Sequence, residues 1–404
     1  METKIINPNR GILWAKVWGI AAMQGAVTLA WVIYKLYLPL LLVELGLAKE
    51  LALTLLVIEN ALEILVEPIF GWFSDRQQQV SGSRLTIISI GAILASALFI
   101  ALPVFTIFSH DNSPKWIFIA LTISWASVMA IVRSPVVALL GRSANTKLLP
   151  QAASLLTLCG GLIGALRFDV YGLILNLGAG FTFAIGSFAL LGAAALLRWV
   201  YPPEPESVDQ GQSATVEISK LSLIFLTGMG ISWGFRFLIL TVSQTFTLEF
   251  GTAHTKLAMT LWFVVLGLAA LPAGRIASKF GNSRIMLIGG WGTTAILLSC
   301  LLLPTGLIQV VAITFLVFML SLILNGAVPF ALGLVPPSRG GLGVGMYFGG
   351  FGGGMSLFDF LDLSSQELSR ETCAISASLT FLLVLLLMII ASQSDGGANL
   401  RSSN

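Results

Sequence analysis

Long apolar segments alternate with short polar connections along almost the whole chain. Because about 20 apolar residues are enough for an α-helix to cross a bilayer, this pattern predicts twelve transmembrane helices. One long polar segment, 201–220, has the Pro, Glu, Ser and Gln content of a flexible linker. We therefore predict an all-α membrane protein with an N-terminal six-helix bundle at 1–200, this linker, and a C-terminal six-helix bundle at 221–404. The predicted spans are Val17–Leu42, Leu51–Phe73, Leu85–Phe108, Trp116–Leu140, Leu149–Gly172, Leu175–Leu197, Leu221–Phe246, Leu257–Ala277, Ile285–Leu303, Leu307–Leu334, Leu342–Phe360 and Thr372–Ala391.

The composition supports a membrane protein and predicts its orientation. Of the 404 residues, 56% are hydrophobic and 10% are charged, whereas about 25% of the residues of a soluble domain are charged. With the N-terminus inside, 14 of the 22 Lys and Arg residues lie on the cytoplasmic side, four lie outside, and four lie within spans. Because cytoplasmic connections carry an excess of Lys and Arg, both termini are predicted to be cytoplasmic, in a multi-pass protein of the cell (inner) membrane.

The sequence has no pattern typical of an enzyme or a cofactor site. Cys159, Cys300 and Cys373 lie far apart in apolar segments, without a CxxC pair. The glycine-rich run in the eleventh span lacks the GK[ST] end of a P-loop, and no Ser/His/Asp or metal-ligand cluster is present. We therefore expect no catalytic residues, no metal, no cofactor and no nucleic-acid partner.

The second span carries three acids at four-residue spacing, Glu59, Glu63 and Glu67. Four residues turn a helix by about 400°, so the three carboxylates share one face. A carboxylate at the bilayer centre costs about 2.5–3.5 kcal/mol on insertion scales, so this face is not expected to contact lipid. It is predicted to face protein or a water-filled cavity.

Two related polar loops occupy corresponding places in the two halves. A Gly-x-x-x-Asp-Arg pattern follows the second span, a Gly-x-x-x-Ser-Lys pattern follows the eighth, and a further Arg comes after each. The residues are Gly71, Asp75, Arg76 and Arg84 in the first half, and Gly274, Ser278, Lys279 and Arg284 in the second. Such a repeat indicates two related bundles in the same orientation.

With these loops the sequence resembles the major facilitator superfamily over essentially its whole length. The resemblance implies a transporter with alternating access, in which the loop is the latch of a cytoplasmic gate. Asp75 would then lie at the N-terminus of a neighbouring helix, held by charge and dipole, whereas a basic loop that only sets the topology is the alternative. Ser278 replaces the expected acid of the second copy, and the spacing before Arg84 is irregular. The predicted gate residues are Glu67, Gly71, Asp75, Arg76, Arg84, Gly274, Lys279 and Arg284.

The sub-branch is left open by the sequence. The runs around Glu44, Glu67-Pro68 and Arg133-Ser-Pro135 resemble the glycoside–pentoside–hexuronide and sucrose permease branch, which couples sugar uptake to H⁺ or Na⁺. The same runs, with the glycine-rich eleventh span, also resemble light-harvesting assembly proteins of the same fold.

Further charges lie within the predicted spans. The resemblance implies that the first, fourth and seventh helices line a central cavity, and each carries one basic residue. Three cations there indicate a substrate with negative charge or many hydroxyl groups. The predicted substrate-binding residues are Lys35, Arg133, Arg167 and Arg236, and the predicted ion-coupling residues are Glu59, Glu63 and Asp169.

Three alternatives remain for these charges. Arg133 can pair internally with Glu59 or Glu63, and Arg167 with Asp169 or another acid, because an unpaired buried charge is costly. Lys35 can instead extend to the outer headgroups.

The sequence thus predicts a secondary active transporter, not an enzyme. It is expected to be a monomer in the lipid bilayer that moves a polar solute, a sugar or an organic anion, by alternating access, with H⁺ favoured over Na⁺ as the coupling ion. The alternative function is a non-transporting protein of the same fold that handles pigment or assembles light-harvesting complexes.

Overall fold

The computed structural model of the chain is built from twelve long α-helices. It describes residues 11–109, 114–168, 171–201, 215–303, 306–363 and 366–401. The first six helices are α1 Trp14–Glu44, α2 Leu51–Ser81, α3 Leu85–Phe108, α4 Trp116–Ala138, α5 Leu149–Ala165 and α6 Ala179–Val200. The seventh and eighth are limbs of one helix, Ile218–Phe280, with α7 at 218–250 and α8 at 252–280. The last four are α9 Asn282–Leu302, α10 Leu307–Gly333, α11 Gly340–Phe360 and α12 Arg370–Arg401.

The predicted fold class is confirmed, and the helices make the chain a multi-pass membrane protein. Within the described residues, nine helices are long and apolar enough to cross a bilayer, and the 63-residue helix among them contains two of the twelve spans. The two remaining spans are less apolar. The first, α2, contains the three glutamates, and the second, α11, is rich in glycine.

Two helix boundaries differ from the prediction. The fifth span was expected to reach Gly172, but α5 ends at Ala165 and a turn follows, so Arg167 lies beyond the helix and not inside it. The sixth begins at Ala179, not at Leu175, after Gly178 with a φ of 78°. The prediction carried the fifth span across the charged residues Arg167 and Asp169, and a short helix, Tyr171–Asn176, lies between the two long ones.

The seventh and eighth spans also differ from the prediction, which left a connection at 247–256. Helical structure continues to Gly251, where a φ of 72° makes a kink between the two limbs without a loop. Glycine adopts this backbone conformation at little cost because it has no Cβ atom.

The buried apolar side chains form two main clusters. One is made almost entirely of residues between Val17 and Tyr201, and the other of residues between Ile224 and Ala391 with Ala165. The clusters meet along two helix pairs, α2 with α11 and α5 with α8. The contact between α2 and α11 positions the site, because the charged residues of these two helices lie on the facing surfaces.

Candidate functional site: a charged crevice and a closed end

The helix pair α2–α11 is closely packed because α11 presents glycines to α2. We call the end of the molecule that carries residues 71–84 and 274–284 the signature end. There a Cβ atom on Gly71 would overlap the backbone of Gly341. Further along, Gly345 lies against the carbonyl of Glu67, and a Cβ atom on Gly352 would lie 2.7 Å from the Cβ of Glu63. The glycine-rich helix thus brings α11 against the acid-bearing face of α2.

Asp75 joins the two halves at the signature end. Its carboxylate accepts hydrogen bonds from the amides of Gly341 (2.7 Å) and Leu342 (2.8 Å), and it pairs with Arg84. These amides are the first donors of α11, so the negative charge lies at the positive end of that helix. Burial lowers the pKa of Arg84, and the charge of Asp75 opposes this shift.

The second loop makes a related contact without a charge. The hydroxyl of Ser278 accepts a hydrogen bond from the amide of Gln151 (3.2 Å), in the first turn of α5. A Cβ atom on Gly274 would lie 2.8 Å from the carbonyl oxygen of Pro150. The α8–α5 contact therefore repeats the α2–α11 contact, with a neutral side chain in place of the aspartate.

The other predicted gate residues lie apart from these contacts. Arg76, Lys279 and Arg284 are exposed, with Arg76 over the ring of Trp72 (5.9 Å) and Lys279 over that of Phe280 (5.3 Å). Glu67 is buried deeper in α2, in a different cluster.

That cluster is centred on Arg133 of α4. Its Nε donates to Glu67 (2.6 Å) and its Nη2 donates to Glu63 (2.6 Å), while Ser134 donates to the second oxygen of Glu67. The guanidinium also lies 4.5 Å from the ring centre of Phe348 on α11. Arg133 therefore pairs with two acids of the stripe. The sequence left a pairing with Glu63 or Glu59 as an alternative, whereas the structure pairs Arg133 with Glu63 and Glu67.

Glu59 forms no ion pair with the described residues, although Lys35 is close enough for its charge to act on it. One of its carboxyl oxygens accepts a hydrogen bond from the hydroxyl of Tyr34 (2.5 Å), and the other is buried without a partner among the described residues. The side chain is only 1% exposed. Trp125 packs on Tyr34 with ring centres 4.6 Å apart. An unpaired buried carboxylate is unfavourable, so this environment suits the protonated acid.

A group of cations lies between the halves. Lys35, Arg167 and Arg236 are close enough for their charges to interact. Lys35 also interacts electrostatically with Glu63 of α2 and Asp359 of α11. Lys35 and Arg167 are exposed, and the side chain of Arg236 is 25% exposed. We call the solvent-exposed region around these three cations the crevice. Lys35 therefore lies close to other charges of the site.

Solved structures with a similar fold cover nearly the whole chain. The proton:xylose symporter XylE, a major facilitator superfamily protein, gives a TM-score of 0.70 at 13% identity, over 94% of this chain and 96% of that one. A bacterial homologue of the iron transporter ferroportin, in an outward-facing state, gives 0.70 at 16% identity, over 94% and 99%. The human organic anion transporter MFSD10 gives 0.67 at 14% identity, over 94% and 100%. The chain has the fold of the major facilitator superfamily.

At the level of sequence, no protein-family model matches the chain and no curated protein is significantly similar to it.

The fold also places residues that the sequence did not nominate beside the predicted site residues. Asp359 pairs with Arg236, and it is the single acid of the predicted eleventh span, a signal that could have identified it. Tyr34 and Trp125 gave no such signal, since aromatic residues are common in apolar spans. The predicted coupling residue Asp169 lies outside the described residues.

Two cavities elsewhere in the described structure are separate from these charges. A cavity of about 350 Å³ is lined by α3 and α4 residues such as Phe105 and Leu121, and one of about 320 Å³ includes Gln244 and Arg370. Neither is lined by a predicted site residue.

Proposed function

We propose that the protein is a secondary transporter that moves a polar small solute, a sugar or an organic anion, across the cell membrane by alternating access coupled to H⁺. In this proposal it acts as a monomer with both termini in the cytoplasm. The fold supports it, and so do the structural neighbours, among them a proton:xylose symporter and an organic anion transporter.

The contacts at the signature end act as the gate in this mechanism. When the crevice faces outward, Asp75 holds α11 and Ser278 holds α5, so the cytoplasmic end is shut. Opening that end requires the Asp75 carboxylate to leave the amides of Gly341 and Leu342, and cargo binding in the crevice supplies the compensating interactions.

Glu59 is the proposed proton carrier, and its geometry is the observation that carries the coupling proposal. Glu63 and Glu67 share the single positive charge of Arg133, and its hydrogen bonds favour the ionised form of each carboxyl group. Glu59 has a hydroxyl on one oxygen, no ion-pair partner, and a second oxygen without a partner in the described structure. A Na⁺ ion requires several oxygen ligands, whereas a proton requires one.

The test uses the full-length protein in liposomes that contain a pH-sensitive dye. Addition of a panel of sugars and carboxylates is expected to give solute-dependent proton entry for the wild type. In Glu59→Gln, a neutral isostere that keeps the hydrogen bond from Tyr34, binding should persist but proton entry should be lost. Proton entry at the wild-type rate in Glu59→Gln would refute the assignment, and a pigmented purified protein would favour the light-harvesting alternative.

A further inference from the structure

Two cations of the crevice have no ion-pair partner among the described residues. Lys35 and Arg167 form no ion pair and no hydrogen bond with any part of the chain that the structure describes. Of the acids whose charges act on Lys35, Glu63 binds Arg133 and Asp359 binds Arg236, while Glu59 is close to Lys35 without forming an ion pair. Lys35 and Arg167 also repel each other and Arg236. Such an arrangement is unfavourable in the empty protein and becomes favourable when an anion binds.

Aromatic rings hold these cations in place without neutralising them. The guanidinium of Arg167 lies over two rings, Phe168 (5.0 Å) and Phe263 (4.7 Å), and the ammonium of Lys35 lies 5.5 Å from the ring of Trp31. A ring face attracts a cation but accepts no conventional hydrogen bond, so the N–H donors of Arg167 stay available.

We propose that the cargo is a small organic anion, a carboxylate with an apolar or aromatic body, bound directly by Lys35 and Arg167. This inference rests on the proposed transport function and names the substrate class. A carboxylate matches the planar fork of a guanidinium, and the lysine adds a second donor. The rings of Trp31, Phe168 and Phe263 form apolar surface beside these donors, suited to the body of the molecule.

A neutral sugar fits these residues less well. Sugar hydroxyls need both donors and acceptors, whereas Lys35 and Arg167 offer donors only. A sugar would also leave both positive charges uncompensated. Arg236 already has Asp359 as its partner, so it contributes to the positive field of the crevice more than to a direct contact with the carboxylate.

The experiment compares molecules that differ only in charge. Benzoate and benzamide, and glucuronate and glucose, are titrated onto the detergent-purified full-length protein, and binding is followed by thermal stability. We expect benzoate to stabilise the wild type, benzamide and glucose to have no effect, and glucuronate to be weaker than benzoate. A charged hydrogen bond contributes about 1.5–3 kcal/mol, so Lys35→Met and Arg167→Met should each weaken benzoate binding by roughly tenfold to a hundredfold.

Three controls separate binding from misfolding. Lys256→Met removes an exposed charge elsewhere and should leave benzoate binding unchanged. Lys35→Arg keeps the charge and should retain binding. Without ligand, Arg167→Met should be at least as stable as the wild type, because the removed charge repels Arg236 and Lys35.

Three results would each overturn the anion assignment. The first is that glucose or benzamide stabilises the protein as much as benzoate does. The second is that neither anion stabilises it, and the third is that Lys35→Met and Arg167→Met bind benzoate as tightly as the wild type.

The transport proposal is judged separately. Anion binding without proton entry would refute proton coupling alone, whereas proton entry driven by a neutral solute would refute the anion assignment alone.

Discussion

At the scale of single residues, the three glutamates of α2 have equal spacing and different environments. Glu63 and Glu67 share the guanidinium of Arg133, whereas Glu59 meets a tyrosine hydroxyl. The difference comes from the residues that other helices place opposite each carboxyl group. One stripe can therefore contain both a fixed ion-pair cluster and a proton-accepting group.

We expect Arg133→Gln to destabilise the protein strongly, because it leaves two buried carboxylates without their cation. Removal of one partner from a buried ion pair costs about 3–5 kcal/mol. The measurement is thermal unfolding in detergent, with Arg198→Gln, an exposed arginine in the last turn of α6, as the matched control. Adding Glu63→Gln and Glu67→Gln to Arg133→Gln should restore much of the lost stability. Equal unfolding temperatures for Arg133→Gln and Arg198→Gln would contradict the pairing.

The sequence predicted the common face of the three glutamates but not their partners. The spacing of the glutamates is enough to place them on one protein-facing side of a helix, because helix geometry is fixed. Which acid binds Arg133 depends on the rotation and depth of α4 relative to α2, and these are set by packing that no local pattern records. Tyr34 was missed for the same reason, since its contact is with Glu59 on another helix. Asp359 could have been named as the single acid of its predicted span, but its pairing with Arg236 could not.

At the scale of helices, glycine decides how closely the two halves approach. The sequence indicated close packing of the eleventh helix, and the structure identifies α2 as its partner. Gly341 is a tight position beside the gate, since a Cβ atom there would overlap the carbonyl oxygen of Gly71 and would lie 2.6 Å from Oδ1 of Asp75. Helix propensity alone would favour alanine at such sites by about 1 kcal/mol, so the contact outweighs it.

Gly341→Ala is therefore expected to separate α2 from α11 and to weaken closure of the signature end. The measurement is the rate at which a thiol reagent modifies a cysteine introduced at Ser74, which is fully buried in the closed state. We expect faster modification with Gly341→Ala than without it. Gly160→Ala is the control, because a Cβ atom on Gly160 in α5 meets nothing within 4 Å. If both substitutions leave the modification rate unchanged, the close contact does not control closure.

The helix boundaries show where hydropathy was sufficient. It located α3 at the predicted Leu85–Phe108, because polar residues flank that span on both sides. It misplaced the end of α5, because the span was extended to Gly172 across Arg167 and Asp169, although charged residues there are a signal for a break. The position of Arg167 at the crevice follows from that break, so sequence could nominate the residue but not its location.

At the scale of the whole molecule, the two halves make unequal use of the repeated loop. The N-terminal copy holds α11 through a buried carboxylate and the C-terminal copy holds α5 through a hydroxyl. The charged contact is the stronger one by the usual energetics of helix N-termini. Opening the signature end is therefore expected to depend mainly on release of Asp75.

Alternating access is the central claim, and paired distance measurements test it most directly. Spin labels at exposed Val80 and Ser283 report on the signature end, and labels at exposed Ala48 and Ala253 report on the opposite end. Asp75→Asn weakens the contact with α11. In that variant we predict a longer Val80–Ser283 distance and a shorter Ala48–Ala253 distance than in the wild type. Distances that both stay fixed, or that change in the same direction, would contradict it.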